Sequence, residues 1–486
     1  MDDLNALLTS VRVVLVGTAH VLLAVATTIH AVLHKRDVRA VIGWVGLAWF
    51  SPILGPALYY VFGINRIQRK AVKLKLGEAW QSAHVTPWTK QDASDIEQFQ
   101  GLHPALASLT NIGRRQMKRP VVPGNCVQVL EHGDEAYPSM LEAINAAQHS
   151  IAMASYIFDH DRAGTMFLEA LRRAVKRGVE VRVLIDDVGA RYSRPRMPHA
   201  MARAGIRVAT FLPSPLWRPS RAINMRNHRK ILVVDGRIGF TGGTNIREGH
   251  VLKWNTPDPI QCLHFRFEGP VVTHLQEAFA IDWSYTTGEL LQDELWFPAA
   301  ERCGETWARG LTHGPDEDFE KMSNVIIGAL AVAQRRVRIA TPYFLPEAPL
   351  ITGLNVAALR DVDVEILLPE KNNLRFVQWA MAGQLPQVLH SGCRVLLVPP
   401  PFDHSKVMIV DDLWTLVGST NWDPRSLRLN FEFNVECYDA ELAGAVNRIL
   451  DRKAASARPL TADQLAARST PVKLRDGAAR LLLPYL

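Results

Sequence analysis

The chain has 486 residues, 48% hydrophobic and 21% charged, with 55 Lys and Arg against 48 Asp and Glu for a net charge of +7. That balance fits a globular protein carrying a membrane part, long enough for two core-bearing domains, and its positive sign favours anionic partners such as lipid headgroups or nucleic acid. Five scattered cysteines (Cys126, Cys262, Cys303, Cys393, Cys437) with no C-x-x-C argue against a disulfide frame or zinc site and for reduced thiols.

The amino-terminal region, residues 1–65, reads as a two-helix transmembrane hairpin. Residues 11–33 are almost wholly apolar, interrupted by Arg12, His20 and His30, and residues 38–62 form a second run with Trp44, Trp49, Tyr59 and Tyr60 as interfacial aromatics. Each is long enough to cross a bilayer core as a helix. Ala24-Val25-Ala26 imitates a signal-peptide cleavage site, but Asp2 and Asp3 precede it, no Lys or Arg comes before Arg12, and a second span follows at once. Pro52 and Pro56 are expected to kink the second helix. The connecting loop carries Lys35, Arg36 and Arg39, whereas Arg66, Arg69, Lys70, Lys73 and Lys75 follow the second span. The richer cluster places the remaining chain in the cytoplasm, and it would also attract an anionic leaflet.

Residues 66–124 are polar, with scattered Trp, Pro and Gln, and read as a linker with a short helix. A first α/β half spans 125–298. It opens with a strand near Cys126 to Leu130 and a helix over 139–148. Ala154-Ser-Tyr156-Ile-Phe158 follows, then a helix near Ala170 and a buried strand over 179–187. Asp186-Asp187 ends that strand and caps the next turn; no cluster of ligand spacing accompanies it. After a bridging segment, 299–320, the second half (321–455) repeats the order. Ala340-Thr-Pro-Tyr343-Phe344 matches 154–158, Val362 opens the matching strand, and Gly392-Cys-Arg-Val395 matches Gly205-Ile-Arg-Val208. Tyr156 and Tyr343 occupy matching positions flanking a cleft. His264-Phe-Arg-Phe-Glu268 lies where Asn430-Phe-Glu-Phe-Asn434 lies in the other half. His160, His264 and His313 have no partner pattern and read as structural or surface residues. Helical stretches alternating with short apolar strands indicate an α/β fold with a largely parallel sheet, its two halves related by a pseudo-twofold. The tail, 456–486, mixes basic and leucine positions and is compatible with a membrane interface or with simple packing on the domain.

The chemistry sits in a duplicated motif. His228-Arg-Lys230…Asp235 and His404-Ser-Lys406…Asp411 share the pattern His-x-Lys-x-x-x-x-Asp, and each ends in a similar tail, Gly242-Gly-Thr-Asn245 and Gly418-Ser-Thr-Asn421. Both histidines introduce short β-branched runs, so His and Lys, two apart on a strand, point to one side. Seven residues separate each His from its Asp, an odd count, so Asp235 and Asp411 are expected to orient a histidine on another element. Two facing half-sites supply a pair of imidazoles and a pair of ammonium groups. That set suits chemistry on a phosphodiester, which needs a nucleophile, an acid and fixed positive charge. The lysines supply that charge, so no metal or other cofactor is expected. Before the first motif the first half carries an insert of about 11 residues by this repeat comparison. Its region includes Trp217, Arg218, Arg221 and Arg226, either a lip for acidic headgroups or a solvated basic loop.

With these residues in place, the chain resembles the phospholipase D superfamily and, within it, the bacterial cardiolipin synthases. The resemblance covers the hydrophobic amino terminus, both motifs and tails, Glu268-Gly-Pro270, and Asn421-Trp-Asp-Pro-Arg425-Ser426 with Asn430, Glu432 and Asn434. It departs at Cys262, where such synthases commonly carry an Asp. The resemblance implies transfer of a phosphatidyl group between two phosphatidylglycerol molecules through a phosphatidyl-histidine. His228 would be the nucleophile and His404 the acid, or the reverse. Lys230, Lys406, Asn245 and Asn421 would face the phosphate oxygens, with Asp235 and Asp411 fixing the imidazoles. A phospholipase D hydrolase shares all these residues, as does transfer to phosphatidylethanolamine or another alcohol. Two membrane spans make little sense for a nuclease, and two complete motifs argue against an inactive scaffold.

Overall fold

The computed structural model describes residues 2–35, 38–63, 94, 97–99, 101, 104–117, 119–213, 225–315 and 320–481. They fall into two compact units, Met1–Lys70 and Ala71–Leu486.

In the first unit, α1 (Asp2–His34) contains one stretch, Ser10–His34, long and apolar enough to cross a membrane. The second expected span is not one helix. It is α2 (Val38–Phe50, 13 residues), a break at Ser51 to Ile53, α3 (Leu54–Leu58) and a π-helical turn, Tyr59–Gly63. Pro52 has no N–H to continue the ladder and Ile53 takes a positive φ of 59°, so the chain stops being helical where a mere kink was expected. Polar side chains tie the helices together: Trp49 Nε1 donates to Thr28 Oγ1 at 3.0 Å, and His30 Nδ1 lies 2.7 Å from the Tyr59 hydroxyl. Arg36 and the cluster from Arg66 to Lys75 lie outside the described residues.

The second unit is built on one 15-stranded sheet. Its strands are β1 (Val122–Glu131), β2 (Ser150–Ser155), β3 (Glu180–Asp186), β4 (Arg207–Phe211), β5 (Ile231–Val234), β6 (Ile238–Gly242), β8 (Leu263–Glu268), β9 (Thr306–His313), β10 (Arg336–Ala340), β11 (Asp363–Pro369), β12 (Arg394–Val398), β14 (Val407–Val410), β15 (Trp414–Gly418), β16 (Glu432–Tyr438) and β17 (Arg458–Leu460). β7 (Ile260–Gln261) and β13 (Phe402–Asp403) pair separately. Outward from the β1–β9 junction the order is β8-β6-β5-β2-β3-β4 on one side and β16-β15-β14-β10-β11-β12-β17 on the other. Only β2-β3-β4 and β10-β11-β12 run parallel; every other ladder of this sheet is antiparallel. The expectation of a largely parallel sheet is therefore corrected. Helical crossovers join the parallel strands, whereas β5–β6 and β14–β15 are tight hairpins, and short buried runs look alike in either setting.

Alternate residues of each central strand enter different cores, which explains their unbroken apolar runs. Leu232 and Val234 of β5 face a core with Tyr137, Phe158 and Phe167, while Ile231 and Val233 face a second core with Phe265, Phe279 and Trp283. That second core runs on into the other half through Val407, Ile409, Phe433 and Val446, so helices Val271–Thr287 and Ala440–Ser456 share one layer. Met408 and Val410 face a third core. Phe99, Leu106, Leu109 and Met117, from the segment expected to be linker, are buried in that third core beside helix Lys321–Val332. β9, inside the expected bridging segment, is central to the sheet. Its apolar pattern is masked by Arg309, a buried cation paired with Glu436.

The repeated tails have a backbone cause. A Cβ on Gly242 would lie 2.8 Å from His264 Cα, and one on Gly418 2.5 Å from Asn434 Cα, so only glycine lets these strands pass. These ladders also correct the repeat comparison: Gly242 faces His264 and Gly418 faces Asn434. Residues 260–264, not 264–268, thus correspond to 430–434. An alternating Phe-x-Phe pattern survives a shift of four residues, which hides the slip.

Candidate active site

Each His-x-Lys segment is docked on the opposite half. Asn227 bridges Phe431, and His228 N donates to Phe431 O at 2.9 Å. In the mirror arrangement Phe402 pairs with Ile260 and Asp403 with Gln261, and His404 N donates to Gln261 O at 2.7 Å. His228 consequently stands beside Glu432, and His404 beside Cys262. Burial of β5 and β14 on both faces leaves the start of each strand aimed at the junction.

The imidazoles have defined tautomers. His228 Nδ1 is 3.0 Å from both oxygens of Glu432, and His404 Nδ1 is 3.0 Å from the carbonyl of Gly243. Carboxylate and carbonyl oxygens only accept, so each Nδ1 carries a proton and each Nε2 presents a lone pair or a second proton. Neither Nε2 has a hydrogen-bond partner among the described residues. Burial holds both imidazoles below their ordinary pKa; Lys230 and Lys406 add to this at each ring, and Glu432 opposes it at His228. The two motifs therefore form one electrostatic site. Against the penalty of burial, the His228 imidazole and Lys230 hold Glu432 below the usual carboxylate range.

Lys230 Nζ donates to His228 O at 2.7 Å and Lys406 Nζ to His404 O at 2.6 Å. Burial lowers Lys230 to about 7 and Lys406 to about 8. One carbonyl each satisfies one of three ammonium protons, leaving donors for an anion. Tyr156 packs edge-on to His228 with ring centroids 4.9 Å apart, and Tyr343 to His404 at 6.4 Å, so the matching tyrosines wall the site.

Asp235 and Asp411 are not near the imidazoles' Nδ1 atoms, contrary to the role expected for them. The Asp235 carboxylate accepts from the backbone N–H groups of Gln148, His149 and Ser150 at 2.8–2.9 Å, and that of Asp411 from Gln334, Arg335 and Arg336 at 2.7–2.9 Å. Both take positive φ (52° and 51°) at the turn ending their strand, a conformation Asp tolerates better than most residues. They anchor hairpins to the starts of β2 and β10. Asn245 Oδ1 accepts from Ile157 N at 3.3 Å, and Asn421 Nδ2 donates to Ser426 Oγ at 3.1 Å while its buried Oδ1 has no partner among the described residues. Trp217, Arg218 and Arg221 lie outside the described residues. Arg226 is no lip: it is buried, 3.5 Å from Asp186, whose other oxygen accepts from Asn227 N at 2.9 Å. Asp187 pairs with Arg191. His264 and His313 are buried in the interior, and His313 Nε2 donates to Ser426 O at 2.9 Å. Among the described residues no group of three or more His, Cys, Asp or Glu is placed to hold a metal ion.

Sequence reasoning missed the supports behind the motifs. Asp282 takes Asn227 Nδ2 at 2.6 Å and Arg229 at 2.7 Å; Lys453 donates to Asp403 at 2.6 Å, and Ser405 Oγ donates to the same carboxylate at 2.6 Å. The residues flanking each histidine are thus clamped to the shared helical layer, with opposite charge patterns in the two halves. The available signal was a buried acid or base on an otherwise apolar helix face.

Two like halves that present His-x-Lys segments at their junction define a phospholipase D-type protein. The chain belongs to the cardiolipin synthase, phospholipase D-like domain family, whose model matches residues 140–283 and 326–454. It is 31% identical to the major cardiolipin synthase ClsA of Bacillus subtilis over 93% of this chain and 95% of that one. It is likewise 31% identical to cardiolipin synthase A of Pseudomonas putida, over 97% and 98%. The phosphatidylserine synthase of Haemophilus influenzae, 16% identical, shares the fold with a TM-score of 0.60 over 79% of this chain and all of that one.

Proposed function

We infer that this protein is a cardiolipin synthase that moves a phosphatidyl group from one phosphatidylglycerol to the hydroxyl of another. The observation that supports this reading is the reciprocal docking of the two His-x-Lys segments, each on the opposite half. In the proposed reaction His228 Nε2 attacks phosphorus, the bond to the glycerol oxygen breaks, and His404 Nε2–H gives that oxygen its proton. The phosphatidylated ring keeps its Nδ1 proton and is cationic, and Glu432 lies against it. Next, His404 takes the proton of the acceptor hydroxyl, whose oxygen bonds to phosphorus as the bond to His228 breaks. Lys230 and Lys406 stabilise the non-bridging oxygens, with Asn245 and Asn421 beside them. Asp235 and Asp411 act only by anchoring the strands.

In this reading the two halves are related by a pseudo-twofold, and the apolar amino terminus is a multi-pass anchor in the bacterial inner membrane with the catalytic halves on the cytoplasmic side. The repeated strand order and the apolar stretch Ser10–His34 support it. Membranes containing the protein, given labelled phosphatidylglycerol, should yield diphosphatidyl lipid and free glycerol. Phosphatidic acid as the sole product would instead identify a hydrolase.

A further inference from the structure

The two histidines occupy equivalent positions but have chemically different neighbours. The docking registers set His228 beside Glu432 and His404 beside Cys262. The strand ladders give the same pairing independently, since Glu432 precedes Asn434 by two residues and Cys262 precedes His264 by two. One half presents a carboxylate where the other presents a thiol. Glu432 engages its histidine through both oxygens at 3.0 Å. The Cys262 thiol, wholly buried, does not engage the His404 ring: its Sγ lies 3.4 Å from the main-chain carbonyl of His404, and the ring turns to Gly243 O at 3.0 Å.

Among the described residues no acid compensates. The groups acting most strongly on the His404 ring are Lys406 two residues on, Lys230 and His228 from the other motif, and His250, whose ring centroid is 6.3 Å away. Tyr343 is the other titratable side chain stacked near it. The adjacent Asp403 is turned away to Lys453 and Ser405, and Asp423 accepts from Ser426 N.

We propose that Cys262 is a positioning residue that, by holding a neutral thiol in the carboxylate's place, leaves the His404 imidazolium without a counter-ion. His404 then surrenders its proton readily and does not hold the phosphatidyl group, whose cationic ring belongs opposite Glu432. The proposal rests on the phospholipase D-type reading above. It is tested on the full chain in detergent, with ¹⁵N-labelled histidine, by following each ring through a pH titration. In the natural protein His404 should titrate below His228. C262D should raise His404 by about one pH unit or more, the effect of an opposite charge in contact, while C262N should leave it in place. An unmoved His404 in folded C262D, or an equal rise in C262N, overturns the proposal. If C262D does not fold, the natural protein decides, because His404 titrating at or above His228 also overturns it. Quenching with labelled phosphatidylglycerol should place the adduct on His228, and an adduct on His404 counts against the proposal. Absence of any phosphohistidine would sink the phospholipase D-type reading itself, a result distinguishable from the ring titrations, which need no turnover.

Discussion

His228 Nδ1 lies 3.0 Å from both carboxylate oxygens of Glu432, a residue 204 positions further along the chain. Glu432 is completely buried, so the contact is a charge held out of water beside the ring that becomes cationic in the proposed reaction. Replacing it with glutamine keeps the shape but removes that charge. Glu432→Gln should lower kcat by about 10²–10⁴-fold with a smaller change in KM. Steady-state rates on protein shown to be folded by circular dichroism check this, and a near-normal kcat would refute Glu432's part.

The two histidines should separate by chemistry. With a phosphatidyl ester whose leaving group needs no proton, His404→Ala should still accumulate an acid-labile phosphohistidine, whereas His228→Ala should form none. Mass spectrometry of the quenched protein reads this directly. Labelling in His228→Ala but not in His404→Ala would exchange the two roles.

Alkaline pH should stop the reaction without unfolding the protein. Burial brings Lys230 to about 7 and Lys406 to about 8, so the ammonium groups that face phosphate in the proposed reaction are lost as pH rises through those values. Over pH 7 to about 10.5 the unfolded chain binds more protons at these lysines than the folded one. Their contribution to stability therefore rises with pH. Between pH 7 and 9, kcat/KM should fall while these lysines do not lower the melting temperature. Bound phosphate should move the limb of kcat to higher pH than that of kcat/KM. Coincident loss of activity and fold would contradict the assignment.

The motif aspartates should behave as structural residues. Asp235→Ala and Asp411→Ala each abandon three backbone N–H groups, at a cost of about 1–3 kcal/mol, and should lower the melting temperature. The folded fraction should keep kcat within a few-fold, measured by active-site titration at low temperature. A loss comparable to that of a histidine variant would restore a catalytic role to these acids.

The linear chain made much of this legible. The doubled His-x-Lys pattern, the apolar runs after each copy and the glycine-containing tails are local signals, each dependent on residues within a few positions. They pointed the reading to two α/β halves and to the imidazoles and ammonium groups that the proposed reaction uses. Partnerships were another matter. Nothing near Asp235 announces that its carboxylate is consumed by Gln148, His149 and Ser150, or that Glu432 belongs to His228. Strand direction, the shift of four residues between 264–268 and 260–264, and the burial of Phe99 and Leu109 in the second half were equally hidden. Those features depend on register between segments far apart in the chain, where alternating patterns fit several alignments. Only packing two halves against one shared layer selects among them, and that selection gave one histidine a carboxylate and the other a thiol.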